Sequence, residues 1–449
     1  MTASADLGRD LSGQLTELLG GDRVVPSSRV TDYTIGPFAP SAIVRPSEAD
    51  QVSALLQWAH HNDIAVYPAG GRTFSHLGNT PTRPGIALDM TGLNRMVDFQ
   101  PADLTVRVQA GMTVGQLDSE LSQDGKCVPL APPLAHRATI GGTLATGISG
   151  PMRSAYGLPR DWLIGVSVVG ADGTMSKAGG QVVKNVTGYD LNRLYIGSLG
   201  TLAVITEATF KIAPAPMAWA AIVAAFENNQ TAVAACRNLL SQPFAPQALH
   251  VLSPPAARRL GDSNIPVGYG PVAVALIAGR PASVKRRVED TALVWLDAAS
   301  ALHIAGEEAT QLIELLADFP INPADPPSVC VRMNTSPYAL DNLLAMDHHE
   351  IGGEAPGVVA DAGFGGGRLM WWGDFSSQDA AQVAEPLRQV QSTVASLGGD
   401  AIVEACPQAA KELIDVWGPA PSGIGIMRRI KEQFDPNNLL NPGRFIGGL

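Results

Sequence analysis

The stretch Tyr67-Pro-Ala-Gly-Gly-Arg-Thr-Phe-Ser-His-Leu-Gly78 decides how the first half of the chain is interpreted. The helical pattern of residues 51–62 and the apolar run 64–67 precede it, so its paired glycines fall where a strand ends and the backbone turns sharply. Glycines without a Cβ let a ligand approach the backbone, and the loop's hydroxyls are additional donors. Such a loop suits an anionic diphosphate, although an ordinary tight turn uses glycines in the same way.

A second loop of small residues follows, Ala131-Pro-Pro-Leu-Ala-His-Arg-Ala-Thr-Ile-Gly-Gly-Thr-Leu-Ala-Thr-Gly-Ile-Ser-Gly150. It also contains paired glycines, and its hydroxyl side chains could bond phosphate or a flavin ring. Two such loops favour a cofactor site more strongly than either loop does alone.

The two loops resemble the FAD-binding domain of the vanillyl-alcohol oxidase and p-cresol methylhydroxylase (PCMH) superfamily. In that family a Pro-x-Gly-Gly-Gly-Thr loop holds the FAD pyrophosphate, and a Thr-Ile-Gly-Gly segment lines the flavin. Residues 161–173 and 183–206 are similar to its following segments. The second of these most resembles the FAD-linked 2-hydroxy-acid dehydrogenases, above all the smaller FAD-binding subunit of bacterial glycolate oxidase. The resemblance implies an α+β fold, with a two-subdomain FAD-binding PCMH-type domain and an α/β sandwich cap domain.

The resemblance also implies which residues bind FAD. Some family members bond a loop histidine covalently to the flavin, but Thr73 and its neighbours stand at that place and His76 is offset, so we expect non-covalent FAD. The expected cofactor-binding residues come from both loops and from two later positions: Pro68, Gly70, Gly71, Arg72, Thr73, Phe74, Ser75, His76, Gly78, Pro132, Thr139, Gly141, Gly142, Ala145, Thr146, Gly147, Gly150, Ile205 and Asn441.

Oxidation of a 2-hydroxy acid sends a hydride to flavin N5 while a base takes the hydroxyl proton. A cation or donor can stabilise the charge on the reduced flavin, and an arginine can hold a carboxylate with two parallel hydrogen bonds. We predict Lys184, Tyr189 and Arg444 for these catalytic roles, because they lie in the resembling segments. Arg193 and Arg332 are weaker candidates, and each cation is individually more typical of a structural ion pair.

Two departures from the family pattern matter. Arg72 stands where a third loop glycine is usual, so its guanidinium either contacts phosphate or points outward. The family's cap also carries a His-x-Gly-Asp-Gly-Asn-x-His element that binds a divalent metal, whereas the nearest stretch here, Ala360–Leu369, has no histidine. The cluster His348-His349-Glu350 points in different directions at helical spacing. We therefore predict no metal site.

Breaks in composition predict the domain limits. They are an N-terminal helix and lead-in over 1–40, the FAD-binding domain over 41–214, the cap over 215–400, and a C-terminal segment over 401–449 that returns to the FAD domain. The 449 residues carry a net charge of -11 without a Lys/Arg-rich run, which argues against nucleic acid. No apolar run is long enough to span a membrane and no signal peptide begins the chain, so we expect a cytoplasmic protein, with membrane association only through a partner.

The sequence as a whole predicts an FAD-binding subunit of a glycolate or related 2-hydroxy-acid oxidoreductase. The resemblance implies a hetero-oligomer with a second flavin subunit and an iron–sulfur subunit. Two alternatives stay open: a self-sufficient FAD-dependent oxidase of alcohols or sugars, and a scaffold subunit of a flavoprotein complex.

Overall fold

We describe a computed structural model of residues 2–180, 190–261, 265–266, 268, 270–376 and 378–449. The chain forms two compact units. The first contains Met1–Ser149, Leu158–Pro214 and Ala420–Leu449, and the second contains Gly150–Gly157 and Ala215–Pro419. The chain thus returns to the first unit at Ala420, later than the boundary at 400 taken from the sequence, because residues 400–405 form an edge strand of the second unit's sheet.

The first unit combines short strands with helices. Its strands are β1 (Ile43–Val44), β2 (Ala65–Ala69), β3 (Gly85–Asp89), β4 (Met96–Gln100), β5 (Thr105–Gln109), β6 (Lys126–Cys127), β7 (Leu163–Val169), β8 (Met175–Gly179), β9 (Val204–Lys211) and β10 (Ala213–Pro214). Its helices are α1 (Thr2–Leu19), α2 (Ala49–His61), α3 (Val114–Ser122), α4 (Ile140–Thr146), α6 (Pro159–Trp162), α7 (Leu191–Tyr195) and α15 (Ile424–Phe434).

Two larger sheets divide the first unit into the predicted subdomains. Strands β1, β3 and β2 pair in parallel in that order, and β4-β5-β9-β7-β8 form a five-stranded antiparallel sheet, while β10 and β6 pair separately. Two apolar clusters stabilise the unit, and one of them includes residues of both sheets. Val52 and Leu55 of α2 pack toward the parallel sheet, and Leu117 and Leu121 of α3 pack toward the antiparallel one.

The second unit is built on one antiparallel sheet of eight strands in the order β14-β11-β13-β12-β16-β17-β15-β18. Its strands are β11 (Ala218–Ala225), β12 (Ala248–Leu252), β13 (Val272–Gly279), β14 (Ser300–Ala305), β15 (Val329–Asn334), β16 (Gly357–Asp361), β17 (Gly366–Trp371) and β18 (Asp400–Ala405). Its helices are α5 (Arg153–Tyr156), α8 (Asn229–Leu240), α9 (Pro254–Leu260), α10 (Pro281–Val294), α11 (Glu307–Asp318), α12 (Leu340–Leu344), α13 (Ala380–Ser396) and α14 (Gln408–Lys411).

Side-chain alternation gives this sheet two different faces. Val331 and Met333 of β15 join Leu369 of β17 in the main core of the second unit, which α8, α12 and α13 complete. Successive strand residues point to opposite sides, so Arg332 of β15 and Arg368 of β17 lie on the other face. The mixed helix and sheet architecture confirms the predicted α+β fold. Among the described helices, none combines the length and the apolar character that a membrane crossing requires.

Candidate cofactor site

The loop of residues 70–78, which we call the organising loop, begins where β2 ends at Ala69, so the paired glycines follow a strand as the sequence predicts. None of the hydrogen bonds formed by the described residues uses the backbone N–H of any residue from 71 to 75. A turn with several free N–H groups in succession forms a concave donor surface that favours an anion. The loop therefore offers backbone donors to a phosphate.

The two glycines of this loop are required by contact with the second loop. A Cβ on Gly70 would lie 2.0 Å from Oγ1 of Thr139, and a Cβ on Gly71 would lie 1.7 Å from the carbonyl oxygen of Arg137. Thr139 Oγ1 in turn accepts a hydrogen bond from the N–H of Gly142 at the start of α4. The absence of Cβ atoms thus lets the two loops pack together, a different reason from the ligand access that the sequence suggested.

Arg72 keeps the backbone conformation that a third glycine would adopt. Its φ of 59° lies in the left-handed region, where glycine carries no steric cost. Its guanidinium lies 4.3 Å from the centre of the Tyr33 ring. The Tyr33 hydroxyl donates to Asp89 at 2.6 Å, and Arg45 donates to the same carboxylate oxygen at 2.7 Å. The arginine side chain therefore stacks on an anchored ring, and the loop geometry survives the substitution.

Both loops line one open cleft of the first unit. A smaller cleft adjoins it and shares several of its residues. Sixteen of the residues predicted to act here line one or both, namely Pro68, Gly70, Gly71, Arg72, Thr73, Phe74, Ser75, Pro132, Thr139, Gly141, Gly142, Ala145, Thr146, Ile205, Asn441 and Arg444. The structure brings together loop residues that are far apart in sequence.

Four predicted cofactor residues do not line the cleft. His76 stacks on Phe74 with ring centres 5.7 Å apart. Gly78 and Gly147 are left-handed turn residues, with φ of 99° and 64°, and Gly147 ends α4. Gly150 belongs to the second unit. Gly78 and Gly147 thus allow backbone turns, and Gly150 lies outside the first unit.

Sequence reasoning missed several residues that line the cleft: Tyr33, Ile35, Tyr67, Ala69, Ala87, Ala138, Thr143, Ile148 and Leu199. Tyr67 ends the apolar run that the sequence predicts as a strand, yet its hydroxyl donates to the carbonyl of Arg83 and burial raises its pKa to about 12. Tyr33 comes from a segment with no glycine pattern. The available signal was the position of Asp89 at the carboxyl end of β3, beside the end of β2.

The C-terminal segment reaches the same cleft. Asn441 donates from Nδ2 to the carbonyl of Leu199 at 2.6 Å. Its Oδ1 is buried and accepts no hydrogen bond from the residues that the structure describes. A buried unpaired acceptor is costly, so this atom is suited to meet a donor on a ligand.

Arg444 lies buried beside the organising loop. Its Nη2 donates to the carbonyl of Ser75 at 2.6 Å and also to the carbonyl of Leu77. Burial lowers the pKa of its guanidinium to about 10. Because this side chain fixes loop carbonyls, the geometry favours a positioning role over the catalytic role that the sequence suggested.

A buried ion pair holds the C-terminal segment in place. Lys431 donates from Nζ to Asp435 at 2.6 Å and to the carbonyls of Thr201 and Leu440 at 2.8 and 3.1 Å. The Asp435 carboxylate also accepts the backbone N–H groups of residues 439 and 440. Burial lowers the pKa of Lys431, and the charge of Asp435 opposes that shift. This arrangement fixes the turn that leads to Asn441.

The other predicted groups have different positions. Lys184 and Tyr189 lie outside the described residues. In the part of the chain that the structure describes, no group of three or more His, Cys, Asp or Glu side chains could hold a metal ion. The rings of His348 and His349 lie 4.3 Å apart, and burial, with the neighbouring His348, lowers the pKa of His349.

The cleft fits FAD on the evidence of its own atoms: a series of free backbone donors, an unpaired buried amide oxygen and an apolar wall. Residues 40–179 match the family model of an FAD binding domain, and residues 418–445 match that of the C-terminal domain of FAD linked oxidases. The chain is an FAD-linked oxidoreductase. Residues 40–179 form its FAD-binding domain, and the fold of the chain is that of p-cresol methylhydroxylase.

Relatives of this FAD-linked oxidoreductase act on hydroxy acids, by their names. It is 26% identical to the glycolate oxidase subunit GlcD of Bacillus subtilis, over 97% of this chain and 96% of the relative. It is 29% identical to a D-lactate dehydrogenase of Archaeoglobus fulgidus, over 91% of each chain. A D-2-hydroxyglutarate dehydrogenase of Stutzerimonas stutzeri is 33% identical, over 41% of this chain and 40% of the relative.

Solved structures show the same fold. A p-cresol methylhydroxylase structure aligns with a TM-score of 0.75 and 16% identity, covering 99% of this chain and 97% of the other. An alkyldihydroxyacetonephosphate synthase aligns with a TM-score of 0.72 and 17% identity, covering 96% and 86%. At these identities the likeness supports the architecture alone.

Proposed function

We propose that this chain is the FAD-binding subunit of a glycolate or related 2-hydroxy-acid oxidoreductase, which converts the hydroxy acid to the 2-oxo acid. The observation that carries the proposal is the donor-lined cleft in a chain whose relatives, over nine-tenths of their length, are named for glycolate and D-lactate. FAD supplies a hydride acceptor when bound. The chain would supply the cleft and the hydrogen-bond donors that hold the cofactor.

In the first unit, some residues would bind the cofactor and others would position the binding groups. The free N–H groups of the loop would hold an anionic part of the cofactor, and Asn441 Oδ1 would accept from a donor on it. Arg444 and the Lys431–Asp435 pair position these groups, since each fixes backbone carbonyls or N–H groups around the cleft. Preorganised donors of this kind need no rearrangement when the cofactor binds.

The proposal includes partners. The resemblance of residues 183–206 to the smaller glycolate oxidase subunit supports assembly with a second flavin subunit and an iron–sulfur subunit. We expect such an assembly in the cytoplasm, with membrane contact only through the iron–sulfur partner. The alternative is a chain that oxidises alcohols or sugars without partners.

Anaerobic spectra of the FAD-loaded chain test the substrate class. Glycolate, D-lactate and D-2-hydroxyglutarate are added separately, with a primary alcohol and a sugar as comparison substrates. Bleaching of the flavin band by a hydroxy acid supports the proposal, whether it occurs in the chain alone or only after the partner subunits are added. Bleaching by the alcohol or sugar, with none by any hydroxy acid under either condition, overturns it.

A further inference from the structure

Three neighbouring strands of the second unit carry charged groups on the face opposite the core. Arg332 of β15 is paired directly with Arg368 of β17 and, on its other side, with Ile402 of β18. Because side chains two residues apart share a face, Glu404 lies on the same side as both arginines. We call Arg153, Arg332 and Arg368 the arginine face.

One buried carboxylate serves two of these guanidiniums. Glu404 has only 1% of its side chain exposed, and its two oxygens lie 2.9 Å from Arg332 Nε and 2.8 Å from Arg368 Nε. The Arg332 Nε–H is not aligned for a hydrogen bond, and its Nη groups donate to none of the described residues. Arg332 therefore has donors to spare, and the pair shares a single negative charge.

The third guanidinium belongs to Arg153. It donates to Asp361 at 3.1 Å and to Asn334 Oδ1 at 3.3 Å, and it lies over the Phe364 ring at 4.3 Å. A Cβ on Gly366 would lie 1.7 Å from Arg153 Nη2, so the missing side chain makes room for this guanidinium.

The three arginines act on one another electrostatically. Burial lowers the pKa of Arg153, Asp361 opposes that shift, and the charges of Arg368 and Arg332 lower it further. For Arg368 burial lowers the pKa, but the charge and the hydrogen bond of Glu404, together with the charge of Cys330, outweigh burial, so the pKa is raised. Three positive charges thus face two carboxylates. Asp400 of β18 is exposed and accepts a hydrogen bond from Asn334 at 3.0 Å.

A partly buried guanidinium without its own counter-charge is costly, which favours binding of an anion with planar geometry that matches the guanidinium fork. We propose that the arginine face is a carboxylate-binding site of the second unit and takes the carboxylate of the 2-hydroxy acid, chiefly through Arg332 and Arg368. This assignment rests on the proposed function for its substrate. Glu404 and Asp361 hold the guanidiniums apart and oriented.

Binding of pyruvate, a 2-oxo acid that does not reduce oxidised flavin, tests the site on the FAD-loaded chain by calorimetry. Its neutral amide, pyruvamide, has nearly the same shape and no charge. We expect pyruvate to bind and pyruvamide not to bind. Arg332→Met is expected to weaken pyruvate binding at least about tenfold, which is the loss of one charge-assisted contact. Arg286→Met is the matched control, because Arg286 is an exposed arginine of the same unit whose ion pair is with Asp290 on its own helix.

Two further variants separate binding from folding. Arg332→Lys keeps the charge beside Glu404 but not the fork, so it should fold and still bind pyruvate more weakly than the wild type. Glu404→Gln frees both guanidiniums, and we expect tighter pyruvate binding together with lower stability, whereas a purely structural cluster would give lower stability alone.

The outcomes distinguish the site from the function. Equal pyruvate binding by the wild type, Arg332→Met and Arg332→Lys overturns the site, while flavin bleaching by a hydroxy acid would leave the proposed function standing. Absence of pyruvate binding by the wild type also overturns the site. Loss of binding in Arg332→Met with normal binding in Arg286→Met supports it.

Discussion

The cleft of the first unit and the arginine face of the second unit both present donors to an anion, but by different chemical means. In the cleft the donors are backbone N–H groups of a five-residue turn, held by contact with a second loop. On the arginine face they are guanidiniums from three separate segments that share two carboxylates. A backbone site depends on the path of the chain, and a side-chain site depends on charge balance. Each is therefore sensitive to a different kind of substitution.

The largest expected effect comes from changing the backbone contact of the cleft. Gly71→Val places a branched Cβ against the Arg137 carbonyl, where the distance to Cβ alone would be 1.7 Å. The Arg137 carbonyl belongs to the main chain, and the Cβ position is fixed by the main chain of residue 71. Neither can move aside alone, so the loops must separate, and we expect no measurable FAD binding. The measurement is flavin absorbance per chain after reconstitution. Gly423→Val is the control, because a Cβ there meets nothing within 4 Å. Full flavin content in Gly71→Val would show that the loop contact is unimportant.

The buried ion pair of the first unit can be compared with the shared carboxylate of the second. Asp435→Ala leaves the buried Lys431 ammonium without its partner, and we expect a loss of about 3 to 5 kcal/mol in the free energy of unfolding. Urea unfolding measures it. Asp32→Ala, which breaks the exposed pair with Arg29, should change stability very little. Equal effects of the two substitutions would contradict the positioning role of the Lys431–Asp435 pair.

The amide of Asn441 allows a smaller test of the cleft. Asn441→Gly keeps the left-handed backbone, since φ is 45°, and removes the unpaired Oδ1. Loss of one neutral hydrogen bond of about 1 kcal/mol predicts an FAD dissociation constant about fivefold higher, measured by fluorescence titration. Asn438→Gly is matched, because Asn438 is also left-handed, with φ of 48°, but exposed and away from the cleft. An unchanged dissociation constant for Asn441→Gly would mean that Oδ1 does not face the cofactor.

The smallest expected effect on stability comes from Asp118, a carboxyl group whose pKa is raised by burial. Burial raises the pKa of the half-buried Asp118 to about 7, so the folded chain holds this proton more tightly than the unfolded chain does. The contribution of this carboxyl group to the free energy of unfolding is then fully present below its ordinary pKa and is lost as the pH rises toward 7. Asp118→Asn should therefore stabilise the protein by about 1 kcal/mol more at pH 8 than at pH 4, in urea unfolding. The exposed Asp124→Asn should show no such difference between the two pH values.

The same contrast explains what the sequence could predict. The cleft is lined by glycines and hydroxyls that lie close together within two stretches, residues 67–78 and 131–150, so the sequence could predict that both stretches contribute to one site. Tyr33 could not be predicted, because its role depends on Asp89 and Arg72, which reach it only through the pairing of β3 with β2. The reason for the glycines was also invisible, since the atoms they avoid belong to a distant loop.

The arginine face was harder to predict from the sequence. The sequence makes Arg332 only a weak candidate and does not indicate Arg368 or Glu404, because strand order β17-β15-β18 departs from chain order. No periodicity in one strand reveals which neighbour it pairs with. Ion pairs between strands therefore become visible only with the register of the sheet.

Reconstitution of the flavin-free chain with FAD tests whether the cleft holds this cofactor. We expect saturation at one FAD per chain, with the flavin released when the protein is denatured, because backbone donors and Asn441 hold it without a covalent bond. A chain that binds no FAD, or one whose flavin stays attached after denaturation, would show that the cleft does not hold FAD in this way.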